Sequence, residues 1–255
     1  LSALFSNNRL ECFVGSVSSL AAHLRQMMRR SPASSIQLLT HPPSLRLDAP
    51  LYESLVREVN MVVNVGIVEV ATLARFGEMI DANLTLNLYE IAQSAASKDF
   101  AGLFAGRPAL IVAAGPSLDD VIDSLPRFVN RAVFIAVGKT LPLLLNKGIC
   151  PEFTAHLDMT ELSLKFYTGY EIPNETTLIF DPDSHHGVAR KFHSKITYNT
   201  DAPIYKCGLK FFGDKGDIEK GLSVAHVAVH FAAHLGCDPI VLCGTDFAFP
   251  RERTH

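Results

Sequence analysis

Three short stretches of the chain hold residue types that could do chemistry. Gly115-Pro116-Ser117-Leu118 ends one apolar run, Gly244-Thr245-Asp246 ends another, and Asp181-Pro182-Asp183 follows a third, with His185 and His186 close behind. Each marks a place where a strand-like segment gives way to a loop. In open α/β sheets, ligands bind beyond such carboxyl ends. Gly115 would let a ligand approach the backbone closely. Pro116 fixes φ and gives up an amide, and Ser117 is placed to cap a helix that starts near Leu118. Free amides and the positive helix end would then face a phosphate or carboxylate. No Gly-Lys-Ser/Thr follows Gly115 as in a Walker loop, and G-x-G-x-x-G is absent there. A plain strand-to-helix turn with a serine cap and no ligand is the alternative.

The other carboxylates read in the same two ways. Asp246, at the end of its strand, could orient a sugar hydroxyl or a catalytic group, or cap a local turn. Asp158 closes an apolar segment at the same edge and could serve a ligand or cap the helix that follows. Asp181-x-Asp183 has the spacing by which two carboxylates hold Mg²⁺ and donor phosphates. Asp-Pro-Asp-Ser is also a good turn sequence. Ser223 is placed to cap a helical pattern in which His226, His230 and His234 recur every four residues and could share a face. The intervening residues are alanine, valine and phenylalanine, with no glutamate where a zincin needs one, so a helix edge is favoured over a metal site.

These residues need a scaffold, and the chain supplies an alternating one. Strand-like runs fall at residues 109–114, 132–137, 153–157, 177–180, 195–198 and 239–243, with helical patterns at 118–128, 140–147, 161–167, 186–192 and 222–235. Strands that are apolar on consecutive positions and separated by helices indicate a mostly parallel sheet covered on both faces. The expected fold is therefore α/β, a Rossmann-like doubly wound sheet. Before it lies a mixed, largely helical region over residues 1–104, with a linker near 102–108 and the sheet domain over 105–255. In the first region short strand-like pieces occur at 10–15 and 35–39. Apolar residues at three and four from Leu55 to Val70 predict one or two long helices over 51–96, interrupted near Gly66 and Gly77.

Composition narrows the function classes. The chain has 255 residues, 48% hydrophobic and 19% charged, with a formal net charge of −3. That is enough apolar material for a core, with no basic block for nucleic acid. No consecutive apolar run approaches the ~20 residues of a membrane span, so no membrane span and a cytoplasmic location are expected. Cys12, Cys150, Cys207, Cys237 and Cys243 form no C-x-x-C pair and suit reduced, buried thiols. The chain starts at Leu1 and stops soon after the Asp246 motif, which suggests a fragment of a longer protein.

Three blocks in order carry a resemblance: AAGPSLDD, GKTLPLLLNKGICPEFTAHLD, and LSVAHVAVHFAAHLGCDPIVLCGTDFAF followed by ERTH. Together they resemble the motility-associated factor (Maf) family of flagellin glycosyltransferases. That family sits in a superfamily with 6-hydroxymethylpterin diphosphokinase-like proteins. The first and last blocks are also similar to bacterial family 42 sialyltransferases. The resemblance implies a CMP-activated nonulosonic acid of the pseudaminic or legionaminic type as donor, flagellin serine or threonine as acceptor, and inverting transfer. It implies donor contacts at Gly115, Pro116, Ser117, Leu118, Asp158, Ser223 and Gly244, with His255 or Asp246 as general base. Histidine has the better resting pKa for that task. Ala248 stands where the sialyltransferases carry a tyrosine, so identical phosphate stabilisation is not implied. The alternatives are an ATP- and Mg²⁺-dependent pterin diphosphokinase and a nucleotide-binding flagellar module without turnover.

Overall fold

A computed structural model describes residues 13–30, 38–221 and 223–246. Its contacts divide the chain into two compact units, Leu1–Gly77 and Glu78–His255. The boundary lies upstream of residue 104. The end of a long helix and the short strand that follows it belong with the sheet.

In the first unit, helices Val17–Arg30 and Pro42–Leu47 precede a helix at Ala49–Gln93 that runs into the second unit without a break at Gly66 or Gly77. The expected interruption does not occur, because an isolated glycine costs a helix only about 1 kcal/mol. The strand-like pieces at 10–15 and 35–39 are not strands where they are described, and their remainder lies outside the described residues. The long helix contains an 18-residue stretch of mean hydropathy 1.4, long and apolar enough to cross a membrane by length and composition. Scattered asparagines and acids break its apolar runs, which is why consecutive runs alone did not register it.

The second unit is a seven-stranded sheet: β1 (Ala95–Ala96), β2 (Ala109–Val112), β3 (Val133–Val137), β4 (Phe153–His156), β5 (Thr177–Phe180), β6 (Ser194–Thr197) and β7 (Ile240–Cys243). Their order is β1-β6-β5-β4-β3-β2-β7. Every pairing is parallel. The Rossmann-like expectation is met. Parallel strands need covered faces, and two apolar layers supply the cover. One contains Leu110, Phe134, Leu141, Leu178 and Tyr205. The other contains Ile111, Ile135, Ile179 and the face of helix Val224–His234 made by Val227, Ala228 and Phe231. Alternate residues of one strand thus feed opposite layers, as the period of two requires. Residues 161–167 form a 3₁₀ helix, and the 118–128 pattern splits into an α-turn at Leu118–Val121 and a 3₁₀ segment at Ile122–Phe128. Helix Pro203–Phe212 was not anticipated, although Pro203 at its start is an ordinary helix opener.

The sheet reverses direction of growth at β2. From β2 the chain steps through β3, β4, β5 and β6, then returns to place β7 on the other side of β2. Switch points of this kind open a crevice at the carboxyl ends of the strands.

Candidate functional site

At the switch point, the loops after β2 and β7 touch. The backbone ladder continues past both strands, with Ala113 N–H donating to Cys243 O (2.8 Å) and Gly115 N–H to Gly244 O (2.8 Å). Gly115 is required by this approach: a Cβ there would meet Asp246 Oδ2 and lie 2.5 Å from the Gly244 carbonyl oxygen. Gly244 adopts φ +68 and would place a Cβ 2.9 Å from that of Leu118. Asp246 Oδ2 accepts from the Ser117 amide at 3.0 Å and the Ser117 hydroxyl at 2.8 Å. These bonds hold the exposed Asp246 carboxyl below the usual carboxylate range.

The expected anion cradle at this turn is therefore altered. Ser117 does not cap a helix; its φ/ψ are already helical and its hydroxyl goes to Asp246. The Leu118 and Asp119 amides donate to Gly115 O and Pro116 O within the turn. The protein's own carboxylate sits where a ligand phosphate was expected between the β2 and β7 loops. The two Ser117 bonds engage Asp246 Oδ2 and lower the basicity of this candidate base. His255, the other candidate base, lies outside the described residues.

On the other side of β2 the edge is open. A cleft of about 290 Å³ is lined by Ala114, Gly115, Leu118, Asp119, Lys139 and Leu143. Lys139 lies in the turn Gly138–Thr140 that follows β3.

A second constellation occupies the ends of β4, β5 and β6. Lys220 Nζ lies 2.8 Å from Asp181 Oδ2 and 3.1 Å from Asp183 Oδ2. Tyr198 donates its hydroxyl to Asp181 at 3.2 Å. The ammonium stands between the two carboxylates where a cation held by the Asp-x-Asp pair would sit. Burial, and then the Asp181 charge, push the Asp183 carboxyl up, while Lys220 pulls it down. The Lys220 ammonium is in turn held well above the usual lysine range by the two acids, against the effect of burial. Mg²⁺ does not fit this pair, and among the described residues no three His, Cys, Asp or Glu side chains converge. Asp158 closes the turn that leads into the 3₁₀ helix Glu161–Tyr167, which has no side-chain cap. Its Oδ1 accepts from the Thr160 amide and hydroxyl at 2.8 and 2.7 Å.

Buried His156 supports that turn. Its ring contacts Asp158 O at 3.1 Å, Ser163 Oγ at 3.4 Å and Tyr167 Oη at 3.3 Å. Burial lowers its pKa to about 4, so the ring is neutral near pH 7. The loop after β5 is pinned from the long helix. Asn87 Nδ2 donates to Pro182 O (2.9 Å) and Ser184 O (2.8 Å), and Asn83 Nδ2 donates to Met159 O (2.9 Å). Sequence reasoning missed Lys220, Tyr198, His156 and both asparagines. Only His156 lies in one of the quoted blocks, and only tertiary structure joins the five to the acids.

Ser223 does cap its helix, accepting from the His226 amide at 3.4 Å. The three histidines of that helix do not converge. His226 contacts Ser223 Oγ (2.9 Å), His230 faces Glu219 (3.9 Å) and His234 contacts Ser97 O (2.9 Å). Of the described cysteines, all free, Cys237 is buried while Cys150 and Cys207 are exposed.

A parallel doubly wound sheet with a glycine-tightened switch point and polar groups gathered at the carboxyl edge defines the class: a Rossmann-like α/β protein. Within that class the chain belongs to the 6-hydroxymethylpterin diphosphokinase MptE-like family, whose model matches residues 82–252. The solved Maf glycosyltransferase from Magnetospirillum magneticum AMB-1 is similar in fold, with a TM-score of 0.55 at 20% identity. The match covers 93% of this chain and 37% of that one, so the chain spans well under half of that protein's length. No curated protein matches the chain.

Proposed function

We propose that the chain is part of a glycosyltransferase that moves a nonulosonic acid from a CMP-activated donor to serine or threonine of flagellin. The donor lies at the carboxyl edge near Gly115, with Pro116, Leu118, Ser223 and Gly244 shaping the loops around it and His255 as general base. Asp246 positions the β2 loop through Ser117. The likeness of fold to a Maf glycosyltransferase and the three sequence blocks support the reading. The observation that carries it against its rival is the Lys220 ammonium seated between Asp181 and Asp183. A diphosphokinase, the reading that the family description favours, moves a pyrophosphoryl group, and such transfers rely on Mg²⁺ to neutralise the phosphates. A CMP leaving group carries less charge and needs less neutralisation than a transferred pyrophosphoryl group. The acid pair that could have held Mg²⁺ is occupied by a lysine.

The test is thermal stabilisation by CMP in EDTA against ATP with Mg²⁺, followed by mass analysis of flagellin incubated with CMP-activated sugar. Stabilisation by CMP and a sugar adduct on flagellin are expected. Stabilisation by ATP only with Mg²⁺ favours the diphosphokinase. CMP binding without sugar consumption favours a binding module.

A further inference from the structure

We infer that His185 and His186, in the loop after β5, form a hydroxyl-recognition pair that takes the neutral, polyhydroxylated part of the sugar carried by the donor. The inference rests on the transferase reading for the identity of that ligand. The two imidazole rings lie 4.6 Å apart between centroids, and each is held at Nδ1 by a different kind of group. His186 Nδ1 is 3.2 Å from Asn83 Oδ1. The Asn83 amide can point only one way, because its Nδ2 donates to Met159 O at 2.9 Å and faces Asp183 O at 3.5 Å. Its oxygen must therefore accept. The neutral His186 ring then carries its proton on Nδ1 and keeps a lone pair on Nε2. His185 is the reverse: its Nδ1 accepts from the Gly187 amide at 3.3 Å, so its proton sits on Nε2. Gly187 leaves room for this ring, since a Cβ there would lie 3.1 Å from His185 Cε1 and 3.3 Å from Leu164 Cδ1.

Among the described residues neither Nε2 makes a hydrogen bond, and neither is a buried atom. The pair thus offers one N–H and one lone pair side by side. A hydroxyl donates and accepts at once, so one hydroxyl or two neighbouring ones satisfy both rings. A phosphate or carboxylate only accepts; it satisfies His185 and meets the His186 lone pair. Burial, then His185 and Arg190, hold the His186 pKa below its usual value, so this ring is neutral near pH 7. The local charge also disfavours an anion. Asp181 and Asp183 face the single Lys220, Asp158 stands in the next loop, and Arg190 is shared with Glu90 at 4.0 Å. Because every strand pairing is parallel, the β5 loop opens on the same edge as Gly115, three strand steps away, or about 14 Å. A nucleotide-sugar laid along the edge would keep its charged groups near Gly115 and bring its neutral hydroxyls to β5. Both rings are partly buried, which suits a small ligand group better than the face of an acceptor protein.

Calorimetric titration with CMP and with a CMP-activated nonulosonic acid separates the pair from the nucleotide. The activated sugar should bind about tenfold tighter than CMP, the increment expected of two neutral hydrogen bonds. His186→Phe should remove most of that increment while CMP affinity stays the same. His186→Gln, whose side-chain oxygen can reach the place of Nε2, should restore part of it. Nitrogen NMR of the imidazoles should find His186 protonated on Nδ1 and His185 on Nε2. Three results overturn the pair and leave the transferase reading standing: the opposite tautomers, an activated sugar that binds no tighter than CMP, or an increment unchanged in His186→Phe. Failure of the wild type to bind either CMP or the activated sugar overturns the transferase reading, and the sugar assignment falls with it.

Discussion

Replacing Lys220 by methionine removes the one cation between two carboxylates that the fold holds largely out of water. The Asp181 and Asp183 side chains are 6% and 21% exposed, and that of Lys220 is 33% exposed. Breaking a fully buried ion pair costs about 3–5 kcal/mol. With a third of the lysine in solvent, screening lowers the expected cost to about 2–3 kcal/mol. For a unit the size of Glu78–His255 this corresponds to a melting point lower by roughly 4–12 °C at pH 7. The pH dependence follows from the direction of the Asp183 shift. Its folded pKa is raised above the ordinary 3.8, so the folded state takes up the proton first on acidification. This group's contribution to stability therefore rises as pH falls through the folded value and levels off below 3.8. Without Lys220 the carboxyl is pushed higher still, so the deficit of the variant narrows between pH 7 and pH 5. Lys220→Arg, which keeps the charge, should recover most of the loss. Calorimetric or circular-dichroism melts at both pH values are the assay. A Lys220→Met protein that melts with the wild type at pH 7, or whose deficit is the same at pH 5, refutes the clamp.

Three further outcomes are expected. Gly115→Ala should destabilise by about 1–3 kcal/mol through overpacking against Gly244 and Asp246 and weaken nucleotide binding, both readable from melts with and without CMP. For His156, the gap between 6.5 and about 4 corresponds to about 3 kcal/mol. That stability is present above pH 6.5 and is lost as pH falls toward 4. His156→Gln should therefore show less stability difference between pH 7 and pH 4.5 in urea titrations. Asn87→Ala should cost about 1–3 kcal/mol by leaving the Pro182 and Ser184 carbonyls without their buried donor, measured by the same titrations.

The sheet was legible because its strands are apolar on consecutive residues, and six of the seven fall where those runs lie. β1 was not, since two alanines carry no period. The loops at the carboxyl edge were legible as places, through Gly115, Asp158, Asp181 and Asp246, but not as contacts. Asp246 on Ser117 joins residues far apart in sequence, as does Lys220 on Asp181, and no local spacing encodes either. Ser223 was read correctly as a cap because capping is a three-residue affair. The Asp-x-Asp pair was ambiguous because a turn and a metal site use the same residues, and the deciding group was a lysine in a loop without a motif. The long helix Ala49–Gln93 illustrates the converse: its period was clear, while the two glycines that suggested breaks were overridden.

The most direct measurement is the structure of the protein with CMP bound. The account places the nucleotide at the carboxyl edge near Gly115, with the Asp246–Ser117 hydrogen bonds intact. Nucleotide bound instead at Asp181 and Asp183, through a metal that displaces Lys220, would contradict it.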